Sequence, residues 1–294
     1  MQKVIIDTDP GQDIDDLLAL LFALRRPELE ILGITTVTWP ATGRARLVKR
    51  LLRYLGREDI PVRAGSQLPM RPFTDADFAK QFNLGHSLNH RCFYEPLDPR
   101  DEPTGEDAVD FIISTLEAHP GEVAILGIAP FTNLGRVFQR RPDLAARVKF
   151  IALMGGDLSD RRENNVAMDC PASEILLGSG APIYLGTWSV TRQFTLTMED
   201  CAATFGTSAD PLHRALWTAI QQWHPAQNWK PGPVMYDLFP MLHAYRQDLY
   251  TLEPHPLRVE DGRTVITPGA PEIHLTTAID AQAVRQVYLE TVFG

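Results

Sequence analysis

The stretch Val4-Ile5-Ile6-Asp7-Thr8-Asp9-Pro10-Gly11-Gln12-Asp13-Ile14-Asp15-Asp16 constrains this chain more than any other. An apolar β-branched run leads into two alternating carboxylates, a Pro-Gly turn follows, and an acid pair then opens a segment rich in Leu and Ala. That order is a buried strand, a tight turn and a helix start. Asp7 and Asp9, two apart on a strand, are expected on the same side of it, with Asp15 and Asp16 in the first helical turn. So many acids in one place need a counter-charge, because unpaired carboxylates raise one another's pKa. Oxygens converging from a strand end and a helix start suit a hard divalent cation such as Ca²⁺ or Mg²⁺. Helix capping and dipole complementation account for one or two of these acids, not for the cluster.

The remaining chain repeats the same alternation. Helices are expected over residues 15–26, 41–55, 105–118, from Pro130 and Thr132 onward, over 171–178, through most of 198–223, over 236–247 and from Asp280. Strands are expected over 29–38, 61–64, 123–128, 148–154, 182–188, 264–267 and 272–277. Strand and helix in turn make a mostly parallel central sheet flanked by helices, an α/β fold. No repeat, low-complexity tract or linker divides residues 1–294, which reads as a single domain. The arginines of residues 41–55 are expected on a solvated face. Residues 65–103 lack a clean period, and a loop of that length in a compact domain points to function. In an open parallel sheet, ligands bind beyond the carboxyl ends of the strands, where Asp7, Asp9, Thr36 to Pro40, Ile128 to Asn133 and Met154 to Asp157 all fall.

A net charge of −9 argues against a nucleic-acid polymer as partner. The three cysteines, Cys92, Cys170 and Cys201, have no metal-ligand spacing, and with no signal peptide or membrane span evident a reducing cytoplasm is the expected location.

The ordered set Asp7-Thr8-Asp9-Pro10-Gly11, Asp15-Asp16, Pro61-Val62-Arg63-Ala64-Gly65, Ala129-Pro130-Phe131-Thr132-Asn133-Leu134, Leu153-Met154-Gly155-Gly156, Glu163-Asn164-Asn165, Asp237 and the closing residues 272–279 resembles the inosine-uridine preferring nucleoside hydrolases. The resemblance implies their fold, a bound Ca²⁺, a homo-oligomer (dimer or tetramer), and hydrolysis of the N-glycosidic bond of a ribonucleoside. It makes Asp9, Asp16, Asp237 and the Ile128 carbonyl the metal ligands, with Asp9 also the general base. It turns Asp15, Glu163 and Asn165 toward the ribose and leaves Asp7 in support of the strand end.

Three features depart from the family pattern. Asp13-Ile14 lengthens the turn, so Asp13 competes with Asp15 for the metal or ribose role. Tyr236 replaces the His that protonates the leaving base. Pro40, together with a short loop between Gly156 and Glu163, removes two sugar contacts. Trp39, His86, Trp223, His224 and Trp229 are candidates for stacking on a base. Two other readings stand beside the hydrolase: a non-catalytic nucleoside- or ribose-binding protein, and an aspartyl phosphatase using Asp7-Thr8-Asp9.

Overall fold

In the computed structural model, residues 1–74, 89–93, 95–105, 107–227 and 231–293 are described. The opening run forms β1 (Gln2–Thr8), the helix after it α1 (Asp15–Leu24), and the chain continues through β2 (Leu29–Thr36), α2 (Ala41–Tyr54), β3 (Val62–Ala64), α3 (Ala108–Ala118), β4 (Val123–Gly127), α4 (Thr132–Arg140) and β5 (Phe150–Met154). Next come the short α5 (Asn164–Met168), α6 (Cys170–Leu177), β6 (Ile183–Gly186), α7 (Trp188–Thr191), α8 (Met198–Cys201), α9 (Pro211–Trp223) and α10 (Leu238–His243). The last elements are β7 (Tyr250–Glu260), β8 (Arg263–Ile266), β9 (Glu272–Ile279) and α11 (Ala281–Phe293).

All the named strands join one nine-stranded sheet in the order β3-β2-β1-β4-β5-β6-β9-β7-β8. Pairing is parallel from β3 to β9 and antiparallel where β7 meets β9 and β8. The chain winds outward from β1 in both directions, first through β2 and β3 and then through β4, β5 and β6. The crevice beyond β1 and β4 is therefore the topological switch point of the sheet.

Burial explains why β1 sits centrally. Val4, Ile5 and Ile6 are all inaccessible to solvent. Val4 and Ile6 pack with α1, α2, α10 and α11 on one face, and Ile5 with α3, α4 and α6 on the other. Such continuous apolar runs are what a two-sided parallel strand needs. Every residue of α1 is buried. Its far end is held by α11: Phe22 stacks on Tyr288 with centroids 5.8 Å apart, Arg26 Nη1 donates to Thr291 Oγ1 at 2.8 Å, and Arg25 donates to the Val292 carbonyl.

Several expectations need correcting. The expected helix over 198–223 is broken into α8, a single π-turn at Ala202–Gly206 and α9, which opens at Asp210-Pro211. Strand β7 was not expected at all, because Pro254 and Pro256 interrupt its pattern. Proline lacks an N–H and is tolerated where one edge of a strand is free. Both prolines pair with β9 only, whereas β8 covers β7 from Leu257 onward.

The arginines of α2 are not a solvated face. Arg44 and Arg50 are buried, with Arg50 paired to Asp101 at 2.6 Å, Arg46 to Glu102 at 2.8 Å and Arg53 to Asp98 at 2.9 Å. The aperiodic segment after β3 thus packs its acids onto α2. No helix among the described residues is long and apolar enough to cross a membrane.

Candidate active site

Strand β1 ends at Thr8, so strand alternation does not extend to Asp9, and Asp7 and Asp9 part ways. Asp7 is buried behind the strand end, where its Oδ1 accepts from Thr35 Oγ1 at 2.6 Å and Asn133 Nδ2 at 2.8 Å. Burial pushes its carboxyl up to about 7 against those two hydrogen bonds. Asn133 also donates to the Thr36 carbonyl at 3.1 Å and accepts from the Ser66 amide at 3.0 Å, fastening three strand ends together. Asp7 therefore supports the site without lining it, which leaves an aspartyl phosphatase without its nucleophile.

Beyond Thr8 the chain turns at Pro10 and Gly11, with φ of +125° at the glycine. A non-glycine residue rarely adopts that conformation. Arg44 clamps the turn from beneath: wholly buried, it donates to the carbonyls of Asp9, Pro10 (3.0 Å), Thr38 (3.1 Å) and Trp39 (3.1 Å) and lies 3.9 Å from Asp9 Oδ2. Asn89 closes the turn from above, its amide donating to the Gly11 carbonyl at 2.6 Å. The long aperiodic segment thus does reach the site.

Asp15 and Asp16 open α1 with no side-chain cap bond at its start, so helix capping does not account for them. Asp16 Oδ1 instead accepts from Thr8 Oγ1 at 2.6 Å and the Asp9 amide at 3.1 Å. Asp237 stands at the start of α10, likewise without a capping bond. One carboxylate oxygen each from Asp15, Asp16 and Asp237 come within 4.8 Å of one another. Burial raises Asp16 to about 6, and burial followed by the charges of Asp15 and Asp16 raises Asp237 well above the usual carboxylate range. Asp9 is raised too, by burial first and then by its acidic neighbours, against the pull of Arg44. Among the described residues, Asp15, Asp16 and Asp237 are the acids gathered closely enough to share a cation, and Asp9 lines the same cavity outside that group. An all-oxygen donor set of this kind fits Ca²⁺ or Mg²⁺.

These acids line a cavity of about 300 Å³ together with Gln12, Asp13, Ile128, Met154, Glu163, Asn165 and Tyr236. All the residues singled out from the sequence as catalytic, metal-binding or ribose-binding therefore converge here. Glu163 caps α5, its carboxylate accepting from the amides of Gly156 (3.0 Å), Asn165 (3.0 Å) and Val166 (3.1 Å). Asn165 donates to the Met154 carbonyl at 3.1 Å. Both side chains are fixed before any ligand arrives. Arg161 and Trp188 also line the cavity and were not anticipated.

The aromatic candidates fare differently. Trp223 is wholly buried in the core, while Trp39 and His224 do not line the cavity. His86 and Trp229 lie outside the described residues.

The model of the family described as "Inosine-uridine preferring nucleoside hydrolase" matches residues 4–286. Uridine nucleosidase 1 of Arabidopsis thaliana is 32% identical over 91% of this chain and 82% of its own length. Among solved structures, the plant nucleoside hydrolase PpNRh1 superposes with a TM-score of 0.84 at 26% identity, covering 100% of this chain and 99% of that one. The purine-preferring ribonucleoside hydrolase from Gardnerella vaginalis gives 0.85 at 22% identity, with coverage of 100% and 98%, and so shares the fold.

Proposed function

The chain belongs to the inosine-uridine preferring nucleoside hydrolase family, and from that premise we propose that it is a Ca²⁺-dependent N-ribohydrolase releasing ribose and a free base from a ribonucleoside or related N-riboside. The observation that carries this reading is the convergence of Asp9, Asp15, Asp16, Asp237 and Ile128 on one cavity, beside the pre-set Glu163 and Asn165.

Asp9, Asp16, Asp237 and the Ile128 carbonyl would hold the cation, and Asp15, with a carboxylate oxygen within 4.8 Å of those of Asp16 and Asp237, would share it. When bound, it neutralises these acids, orients the ribose diol and acidifies water at the site. Asp9 takes the proton of the attacking water, a task open to a carboxylate that lines the cavity beside the other acids. Asp15 and Asn165 hydrogen-bond ribose hydroxyls, as does Glu163 with the acceptor capacity its three amide bonds leave. Positive charge developing at C1′ is stabilised by the surrounding carboxylates. Tyr236 offers its hydroxyl to the departing base, and Asp13 shares the metal or ribose role with Asp15. The unpaired state of the three cysteines fits a reducing cytoplasm.

The test is ribose release from a nucleoside panel by protein stripped with a chelator and reloaded with Ca²⁺. Activity should vanish and return, and Asp9→Ala should lose both turnover and metal. Full activity in the stripped protein or in that variant refutes the assignment. Binding of a nucleoside without any turnover would favour the non-catalytic alternative.

A further inference from the structure

The charged lining of the cavity is acidic but for one residue. The aspartates enter from β1, α1 and the start of α10, whereas Arg161 enters from the loop after β5 and is the only Lys or Arg among the described residues that line the cavity. Its guanidinium carbon lies 3.8 Å from the centroid of the Trp188 ring, and that of Arg192 lies 4.2 Å from the same centroid. With two guanidinium groups against it, the indole is not an open platform for a base.

The loop that carries Arg161 is pinned from outside by the β7–β8 hairpin. Asp160 pairs with Arg263 at 2.8 Å, Arg162 with Asp261 at 3.6 Å, and the Asp157 amide donates to Thr264 Oγ1 at 3.0 Å. The charges on either side of Arg161 are thus spent on the hairpin. Arg161 itself has no carboxylate partner among the described residues, although it shares a cavity with six acids: Asp9, Asp13, Asp15, Asp16, Glu163 and Asp237. A guanidinium stacked on an indole keeps its planar edge of N–H donors free, which matches an oxyanion two bonds at a time. The aspartates approach from β1 and Arg161 from beyond β5, two strands away at about 4.8 Å per strand. An anion held by Arg161 is thus met from a different strand end than the one that carries Asp9.

We propose that Arg161, set against Trp188 beside Arg192, is a specificity-determining residue that selects ribosides bearing an oxyanion. This rests on the riboside reading above. The oxyanion is a phosphate on the 5′ carbon or a carboxylate on the base, and the two are told apart by substrate. Hydrolysis itself is unchanged: water adds at C1′ and the base leaves.

The experiment compares kcat/KM of the Ca²⁺-loaded protein for uridine, uridine 5′-monophosphate and orotidine, in the wild type and in Arg161→Gln. Arg161 is exposed, so the variant is expected to fold. One of the two anionic ribosides should exceed uridine by about tenfold or more, the worth of one charge-assisted hydrogen bond, and Arg161→Gln should cost it at least tenfold more than it costs uridine. Preference for the monophosphate places the oxyanion on the sugar, and preference for orotidine places it on the base. Uridine turned over best, or a variant that affects all three equally, overturns the inference while leaving the hydrolase standing. With no turnover of any of them, calorimetric binding of the same three compounds decides, while the hydrolase reading is judged on the nucleoside panel. Tighter binding of an anionic riboside that Arg161→Gln abolishes upholds the inference, and equal binding sinks it.

Discussion

Replacing Arg44 with methionine keeps an unbranched apolar stem and removes every donor. Four main-chain carbonyls, those of Asp9, Pro10, Thr38 and Trp39, then lose a charged partner at a site with no solvent exposure. An unmade bond to a buried acceptor costs about 1–3 kcal/mol, so four would cost at most about 12 kcal/mol. Two effects offset much of that. The guanidinium no longer pays its desolvation, and the loosened turn admits water to part of the carbonyl set. Removing one member of a buried charge pair typically costs about 3–5 kcal/mol, and we expect Arg44→Met to fall there. Against a total stability of about 5–15 kcal/mol, the variant still folds. Urea denaturation should show a lower midpoint with an unchanged slope. Ribose release should fall as well, because the turn that places Asp9 has lost its clamp. Arg44→Lys should recover only part of either loss, since an ammonium cannot span four acceptors that a planar fork reaches. A loss of stability below about 1 kcal/mol in Arg44→Met would refute the clamp.

Asn133→Ala removes two buried hydrogen bonds, to Asp7 and Thr36, and a part-buried one from Ser66, and at about 1 kcal/mol each should destabilise by about 3 kcal/mol in thermal unfolding; an unchanged melting temperature contradicts the fastening role. In Gly135→Ala the new Cβ would stand 2.6 Å from the Cα of Ala172, main chain that cannot step aside, so α4 and α6 separate at a cost of about 1–3 kcal/mol, and a neutral outcome in denaturant melts would contradict that contact. Burial lowers His243 from 6.5 to about 4 in the folded state, so the unfolded chain binds the extra proton between those two values. Its contribution is fully present above pH 6.5 and is lost as pH falls toward about 4, amounting to about 3 kcal/mol at 1.36 kcal/mol per pH unit. Stability measured across that range in His243→Phe should fall less steeply than in the wild type, and identical slopes would exclude the histidine as the cause.

What could be read in the sequence was what local pattern encodes. Val4 to Ile6 and the residues after Asp15 announce a strand and a helix because their burial follows from their own periodicity. The acids gathered beyond β1 were legible for a related reason, since the parallel topology sends every strand end to one edge. The burial of Arg44 and Arg50 was not legible. The helical period of α2 puts them on a polar face, and the acids and carbonyls that cover that face come from segments with no period of their own. Strand β7 was hidden by two prolines, whose tolerance depends on which neighbour each edge meets. Trp223 and Trp188 show the same limit. Nothing in spacing alone tells that the first fills the core and the second borders the cavity.

The grip of α11 on α1 has a consequence for how the molecule comes into being. The helix that begins with Asp15 and Asp16 is buried all round only once the last helix has docked against Phe22, Arg25 and Arg26. Asp237, which joins the same acids, also arrives late in the chain. Domains generally take shape in the order they are synthesised, and pairings between distant segments form slowly. A chain growing on the ribosome therefore carries an exposed apolar helix and an unneutralised acid turn through most of its synthesis. The acid-lined cavity is among the last parts to close, although its first residues are among the first made.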